Sequence, residues 1–251
     1  MSAKNKTVVR SLDILNLFVE HPALTFQEII ELSGVPKSSV YRMLTSLEEM
    51  KFLEKGADTR YRLGLLFLQY GSLVSKRLDL RQVAYPIMER LHAETKEAIN
   101  LIVRQDDEAI YVEKIDRFQK VRLYTAIGRS SPLYAGACSR VILSHLSDAF
   151  ITEYFEREEF QQYANGTMTD PALLWKTIQE TRETGYTLSH SELENHTSAL
   201  AAPIFNFNGD ILAGISIAGI EANYQPEQVE LLIPKVKGAA LEISRQLGYM
   251  E

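Results

Sequence analysis

The stretch Thr25-Phe26-Gln27-Glu28-Ile29-Ile30-Glu31-Leu32-Ser33-Gly34-Val35-Pro36-Lys37-Ser38-Ser39-Val40-Tyr41-Arg42-Met43-Leu44-Thr45-Ser46-Leu47 decides the reading of the N-terminal part of this chain. Thr25 to Glu28 has the form of a capping box, in which the threonine hydroxyl and the glutamate each satisfy an otherwise orphaned backbone N–H. Phe26, Ile29, Ile30 and Ser33 then recur on one side of the short helix it starts. Gly34 stands just past that helix, where a left-handed cap is needed. Pro36 opens a further helix with an apolar stripe of Val40, Met43, Leu44, Leu47 and Met50. Its other face carries Lys37, Ser38, Tyr41, Arg42 and Thr45. Two short helices, a tight turn and a polar-faced third helix make a helix-turn-helix, whose last helix can enter a DNA major groove. The exposed residue types suit that role, since Lys and Arg reach phosphates or guanine edges while Ser, Thr and Tyr bond phosphate or base.

Upstream, Val8, Leu12, Leu15 and Val19 predict a first helix that stops before His21-Pro22. Downstream, Phe52-Leu53-Glu54-Lys55 and Arg60-Tyr61-Arg62-Leu63 flank Gly56-Ala57-Asp58-Thr59, a short hairpin that forms a wing with Lys55, Arg60 and Arg62 placed for backbone or minor-groove contact. Residues 65–78 form an apolar connector; Leu65, Leu68, Leu73 and Val74 suit packing against the following module or a second subunit. Leu80 to about Glu97 reads as a helix with Val83, Ile87 and Leu91 on one side and a kink at Pro86.

The 251 residues carry 27 Lys/Arg and 33 Asp/Glu, for a net charge of −6, and are 45% hydrophobic. This composition excludes a disordered or collagen-like chain and supplies enough apolar material for two cores. Residues 1–64 hold nine Lys/Arg against eight Asp/Glu, whereas the remainder holds 18 against 25, so an anionic polymer can approach the head but is repelled by the body. The opening MSAKNKTVVRSLDILNLF has no continuous apolar run, which points to the cytoplasm. Cys138 is the single cysteine, so no internal disulfide or multi-thiolate zinc site is available.

In the second part Ile99–Arg104, Ala109–Asp116 and Val121–Thr125 read as successive strands. Ser131-Pro132-Leu133-Tyr134-Ala135-Gly136-Ala137 opens a helix, another lies around Ile151–Phe155, and Asp170-Pro171 starts a third that Gly185 ends. Leu200–Phe205 and Ile211–Ile220 are apolar strands joined at Asn208-Gly209, and Pro226 begins a terminal helix. Strands, then helices, then strands give an α+β domain with a mostly antiparallel sheet. Chemistry is sparse. Cys138 has no histidine in a partnering motif, and Gly214–Gly219 lacks the Lys-Ser/Thr of a phosphate loop. His190, Glu192, Glu194 and His196 alternate, and on a strand would share a face able to hold a metal at His190, Glu192 and His196. Otherwise they form a polar loop over a pocket mouth. No catalytic set and no cofactor are assigned. A protein-interaction module without specific DNA binding is the alternative reading.

Val9-Arg10-Ser11-Leu12-Asp13-Ile14-Leu15, Val35-Pro36-Lys37-Ser38-Ser39-Val40-Tyr41-Arg42, Tyr61-Arg62-Leu63-Gly64 and Leu78-Asp79-Leu80-Arg81 follow one another along the chain. Gly128, Pro132-Leu133, Ala135, Ala137, Gly185-Tyr186 and Ala201-Ala202-Pro203 come after them. In that order the sequence resembles the IclR family of bacterial transcriptional regulators. The resemblance implies a winged helix-turn-helix over 1–64, a helical connector over 65–79 and a GAF-like effector domain over 80–251. It further implies a repressor that binds double-stranded DNA at palindromic operators as a homodimer or dimer of dimers, its affinity altered by a small molecule such as a carboxylate or sugar acid. Carried over, the DNA contacts fall on Arg10, Lys37, Ser38, Ser39, Tyr41, Arg42, Thr45, Arg60 and Arg62. The effector contacts fall on Leu133, Ala135, Gly136, Ala137 and Cys138 at a helix start, with Ser189, Ala199, Ser216 and Ala218 opposite. Ser189 stands where many relatives carry Asp, which removes a charge that would oppose an anionic ligand.

Overall fold

The computed structural model describes residues 5–76, 79–117 and 126–250. The chain divides into two compact units, Met1–Arg77 and Leu78–Glu251. The strand expected over Val121–Thr125 lies outside the described residues.

The first unit contains α1 (Lys6–Glu20), α2 (Phe26–Ser33), α3 (Lys37–Glu49), a two-stranded sheet of β1 (Leu53–Lys55) and β2 (Tyr61–Leu63), and α4 (Leu66–Lys76). The local chemistry at α2 is that of the sequence: Glu28 N–H donates to Thr25 Oγ1, Thr25 N–H donates to Glu28 Oε2 at 2.7 Å, and Gly34 closes the helix at φ 62°. Ile14, Leu15, Phe18, Ile29, Val40, Leu44, Leu47, Leu53 and Tyr61 make one buried core. Two details differ from the pattern. On α1, Val8, Leu12 and Val19 are exposed while Ile14 and Phe18 join Leu15 inside. The helix carries two apolar stripes, and packing against α2 and α3 selects the second. Met50 is exposed because α3 ends at Glu49 and Met50 occupies its C-cap. On α4, Phe67 packs against this core through Phe52, their ring centres 5.5 Å apart, whereas Leu68 and Leu73, like Leu65 just before the helix, are exposed.

The second unit is a six-stranded antiparallel sheet in the order β5-β4-β3-β8-β7-β6. Its strands are β3 (Ala98–Gln105), β4 (Glu108–Ile115), β5 (Ser130–Pro132), β6 (Thr187–His190), β7 (Thr197–Phe205) and β8 (Ile211–Ile220). Period-two alternation sends Ile99, Leu101, Leu200, Ile215 and Ile217 to one face, where α5 (Asp79–Thr95) and α9 (Pro226–Gln246) cover them. Pro86 lies within the continuous span of α5. Ile102, Ala109 and Ala201 face the other way, toward α6 (Ala137–Ser144), α7 (Asp148–Arg157) and α8 (Pro171–Thr184). Ser130–Pro132 is an edge strand rather than the start of a helix; α6 begins only after Gly136.

Candidate nucleic-acid interface and ligand cavity

In the first unit, Lys37, Ser38, Tyr41 and Arg42 surround an open concavity whose floor includes Phe26. The i, i+4 spacing of Lys37, Tyr41 and Thr45 puts them on one face of α3. Tyr41 is 64% exposed, and the edge-on contact of its ring with Phe26, 6.4 Å between centres, holds its direction. Thr45 is exposed and donates its hydroxyl to Tyr41 O at 3.0 Å. Ser39 is half-buried, at the side of this face, and Arg10 is exposed on α1.

The two wing arginines are engaged within the unit. Arg60 donates to Ala23 O and Glu28 Oε2, both at 3.2 Å, tying the wing to the capping box of α2. Arg62 grips Asp58 with bonds of 3.0 and 2.6 Å, which holds the Asp58 carboxyl at about 2. Both arginine side chains remain 40% or more accessible, yet reaching a phosphate requires them to share or leave these carboxylates.

In the second unit a cavity of about 60 Å³ opens between the start of α6 and the sheet. Gly136, Ala137, Cys138, Ser189, Ala199, Ser216 and Ala218 line it. Leu133 and Ala135 do not; they are fully buried behind the wall, in the core under α6. Ser131, Ser139, Asn100 and Tyr111 add polar groups, and Arg129 and Glu194 add charges. The first bond of α6 runs from Arg140 N–H to Gly136 O, which leaves the amides of Ala137 and Cys138 in the unpaired first turn. Gly136 has φ 83°, and a Cβ there would lie 2.7 Å from Leu193 Cδ1, so only glycine allows the chain to turn into α6 beneath that side chain. Burial pushes the Cys138 thiol up to about 12 against a hydrogen bond from Ser216, and burial raises the Tyr111 phenol as well. A thiol so placed is a neutral lining group rather than a nucleophile.

The segment 191–196 covers the cavity and corrects the metal alternative. β6 ends at His190, and Ser191 and His196 both adopt positive φ, so the four alternating residues do not share a strand face. His190 Nδ1 meets Ser198 Oγ at 2.7 Å, while Glu192 turns inward, its side chain 4% exposed. No group of three or more His, Cys, Asp or Glu able to hold a metal exists among the described residues. Glu192 instead forms a buried bidentate pair with Arg140, at 2.5 and 2.9 Å, and accepts the Gly136 N–H at 2.9 Å. It thereby locks the covering segment onto the start of α6, helped by Thr167 Oγ1 donating to Glu192 O.

Sequence reasoning passed over Asn100, Ser131, Arg129 and the Arg140–Glu192 pair. One signal was present: Asn100 is the lone polar residue in the run Ala98-Ile99-Asn100-Leu101-Ile102-Val103. A buried amide among apolar neighbours requires partners.

A winged helix-turn-helix, joined in one chain to a sheet domain that holds a cavity with polar groups in its wall, defines a ligand-binding transcriptional regulator. Comparison with known proteins agrees. Residues 72–245 match the family described as "Bacterial transcriptional regulator IclR C-terminal", and residues 7–57 match "IclR helix-turn-helix domain". The chain belongs to the IclR family. It is 54% identical to the HTH-type transcriptional regulator KipR of Bacillus subtilis (strain 168), across 99% of this chain and all of that protein. A crystal structure of an IclR transcriptional regulator from Alicyclobacillus acidocaldarius superposes with TM-score 0.84 at 27% identity, covering 98% of this chain and 100% of the other. An IclR homologue from Microbacterium hydrocarbonoxydans, solved with 4-hydroxybenzoate, gives TM-score 0.83 at 25% identity over 96% of this chain and 99% of that one. The chain is thus a regulator with a DNA-binding head and a ligand-binding body, and not an enzyme. None of the helices among the described residues is long and apolar enough to cross a membrane.

Proposed function

We propose that the protein is a cytoplasmic repressor that binds a palindromic operator as a homodimer or dimer of dimers and changes its operator affinity when a small carboxylate occupies the cavity at the start of α6. The observation that carries this reading is the presence of two features: Lys37, Ser38, Tyr41 and Arg42 presented together on α3, and helix-start amides at Ala137 and Cys138 beside a cavity with polar groups in its wall. The first suits a major groove, with Arg10, Ser39, Thr45, Arg60 and Arg62 at its margins. The second suits a carboxylate, because backbone N–H groups and the helix dipole both favour negative charge there. The benzoate in the Microbacterium homologue is a carboxylate of that kind. The functional modules run over 1–64, 65–79 and 80–251.

The test is a mobility-shift titration with duplex DNA from upstream of the protein's own gene against unrelated duplex, at two salt concentrations. Selective, salt-sensitive binding is expected. Arg42→Ala should lose about 1–3 kcal/mol and relax discrimination at one base position, whereas Lys37→Ala should weaken binding to all sequences and flatten the salt slope. Wild-type affinity in Arg42→Ala removes Arg42 from base reading, and binding indifferent to sequence overturns the operator reading.

A further inference from the structure

Asn100 sits on β3 with 2% of its surface exposed and lines the cavity. Its Oδ1 is buried and has no partner among the described residues, while its Nδ2 donates to Ser216 Oγ at 3.4 Å on the facing strand β8. That bond orients the amide, with Nδ2 toward Ser216 and Oδ1 turned away from it. What remains is a buried, unpartnered acceptor on a residue of the cavity wall, in a cavity that the start of α6 also lines. A buried carbonyl oxygen left unpaired is costly, and a ligand that fills it recovers that cost on binding. A cavity of about 60 Å³ has room for a few water-sized groups. The groups that meet both must therefore belong to one very compact molecule.

We infer that Asn100 determines effector specificity: the molecule that fits is a compact carboxylic acid that also carries a hydroxyl or N–H donor, its carboxylate on the Ala137 and Cys138 amides and its donor on Asn100 Oδ1. This rests on the carboxylate reading above and narrows it from acids in general to hydroxy acids and amino acids.

Glycolate and propionate test it, since they have equal numbers of heavy atoms and differ in a hydroxyl against a methyl group. Dissociation constants for both are measured on the full-length protein by ligand-observed NMR titration. Wild type should bind glycolate about ten- to a hundredfold more tightly than propionate, the range expected when a buried acceptor gains or lacks its donor. Asn100→Leu, nearly the same size, should lose that preference and reverse it toward propionate, an outcome that a purely structural role would not produce. Equal binding of the two acids to wild type overturns the assignment of Asn100 while leaving the carboxylate site standing. Binding of neither acid overturns both. A wild-type preference for glycolate that survives in Asn100→Leu places the donor's partner elsewhere and overturns the inference.

Discussion

Replacing Glu192 by leucine should unfold the effector unit far more easily, and the size of the loss follows from what the carboxylate leaves behind. Arg140 is wholly buried, and without Glu192 it keeps only Leu188 O at 2.8 Å and two longer contacts, to Tyr134 O and Thr187 Oγ1 at 3.4 Å. Removing one partner of a buried pair costs about 3–5 kcal/mol, because the surviving charge remains desolvated. The Gly136 N–H loses its acceptor at the same time. For a unit of this length, each kcal/mol moves the melting midpoint by about 2–4 °C, so the expected drop is roughly 6–20 °C. Trp175 is the only tryptophan of the chain and packs against the core under α6, so its fluorescence reports this unit specifically. Arg140→Met combined with Glu192→Leu removes both charges at similar volume and should recover most of the loss. A Glu192→Leu cost below about 1 kcal/mol, or a double variant melting as low as the single one, would refute the view that the buried charge governs the effect.

Two further outcomes follow from the same region. Gly136→Ala forces a Cβ at φ 83° to within 2.7 Å of Leu193 Cδ1, and should cost about 1–3 kcal/mol in the Trp175-monitored melt and loosen the covering segment; an unchanged midpoint would show that the turn into α6 tolerates a side chain. Because burial holds the Cys138 thiol near 12, alkylation by iodoacetamide at pH 8 should be at least about a hundredfold slower in the native protein than in urea, and should accelerate only as pH rises toward that value. Rapid native labelling at pH 8 would mean the thiol is exposed or activated.

The N-terminal unit was legible to a large extent because its signals are local. Thr25 and Glu28 are three residues apart, Gly34 follows directly on the helix it caps, and the polar face of α3 repeats within two turns. The α1 core was misread for a related reason: Val8-Leu12-Val19 and Ile14-Phe18 are both apolar stripes at helical spacing, and periodicity alone does not say which one meets α2 and α3. In the C-terminal unit the apolar runs of β3, β7 and β8 declared strands of a mostly antiparallel sheet, but with both faces buried they did not say which residues point to which side. The resemblance to known regulators, rather than any spacing, pointed to the start of α6.

The sequence by itself therefore determined the helix-turn-helix, the hairpin turns and the class of the second domain, since each depends on residues within a few positions of one another. Only the tertiary structure decided what Glu192 does. In the chain it alternates with His190 and Glu194 and resembles a ligand set, but folding turns it inward from the covering segment onto Arg140, its partner 52 residues away in the chain. Asn100 is settled in the same manner, by a serine 116 residues away across the sheet. Whether a buried polar group is satisfied or left open to a ligand depends on long-range neighbours that strand pairing brings together, and no local pattern encodes them.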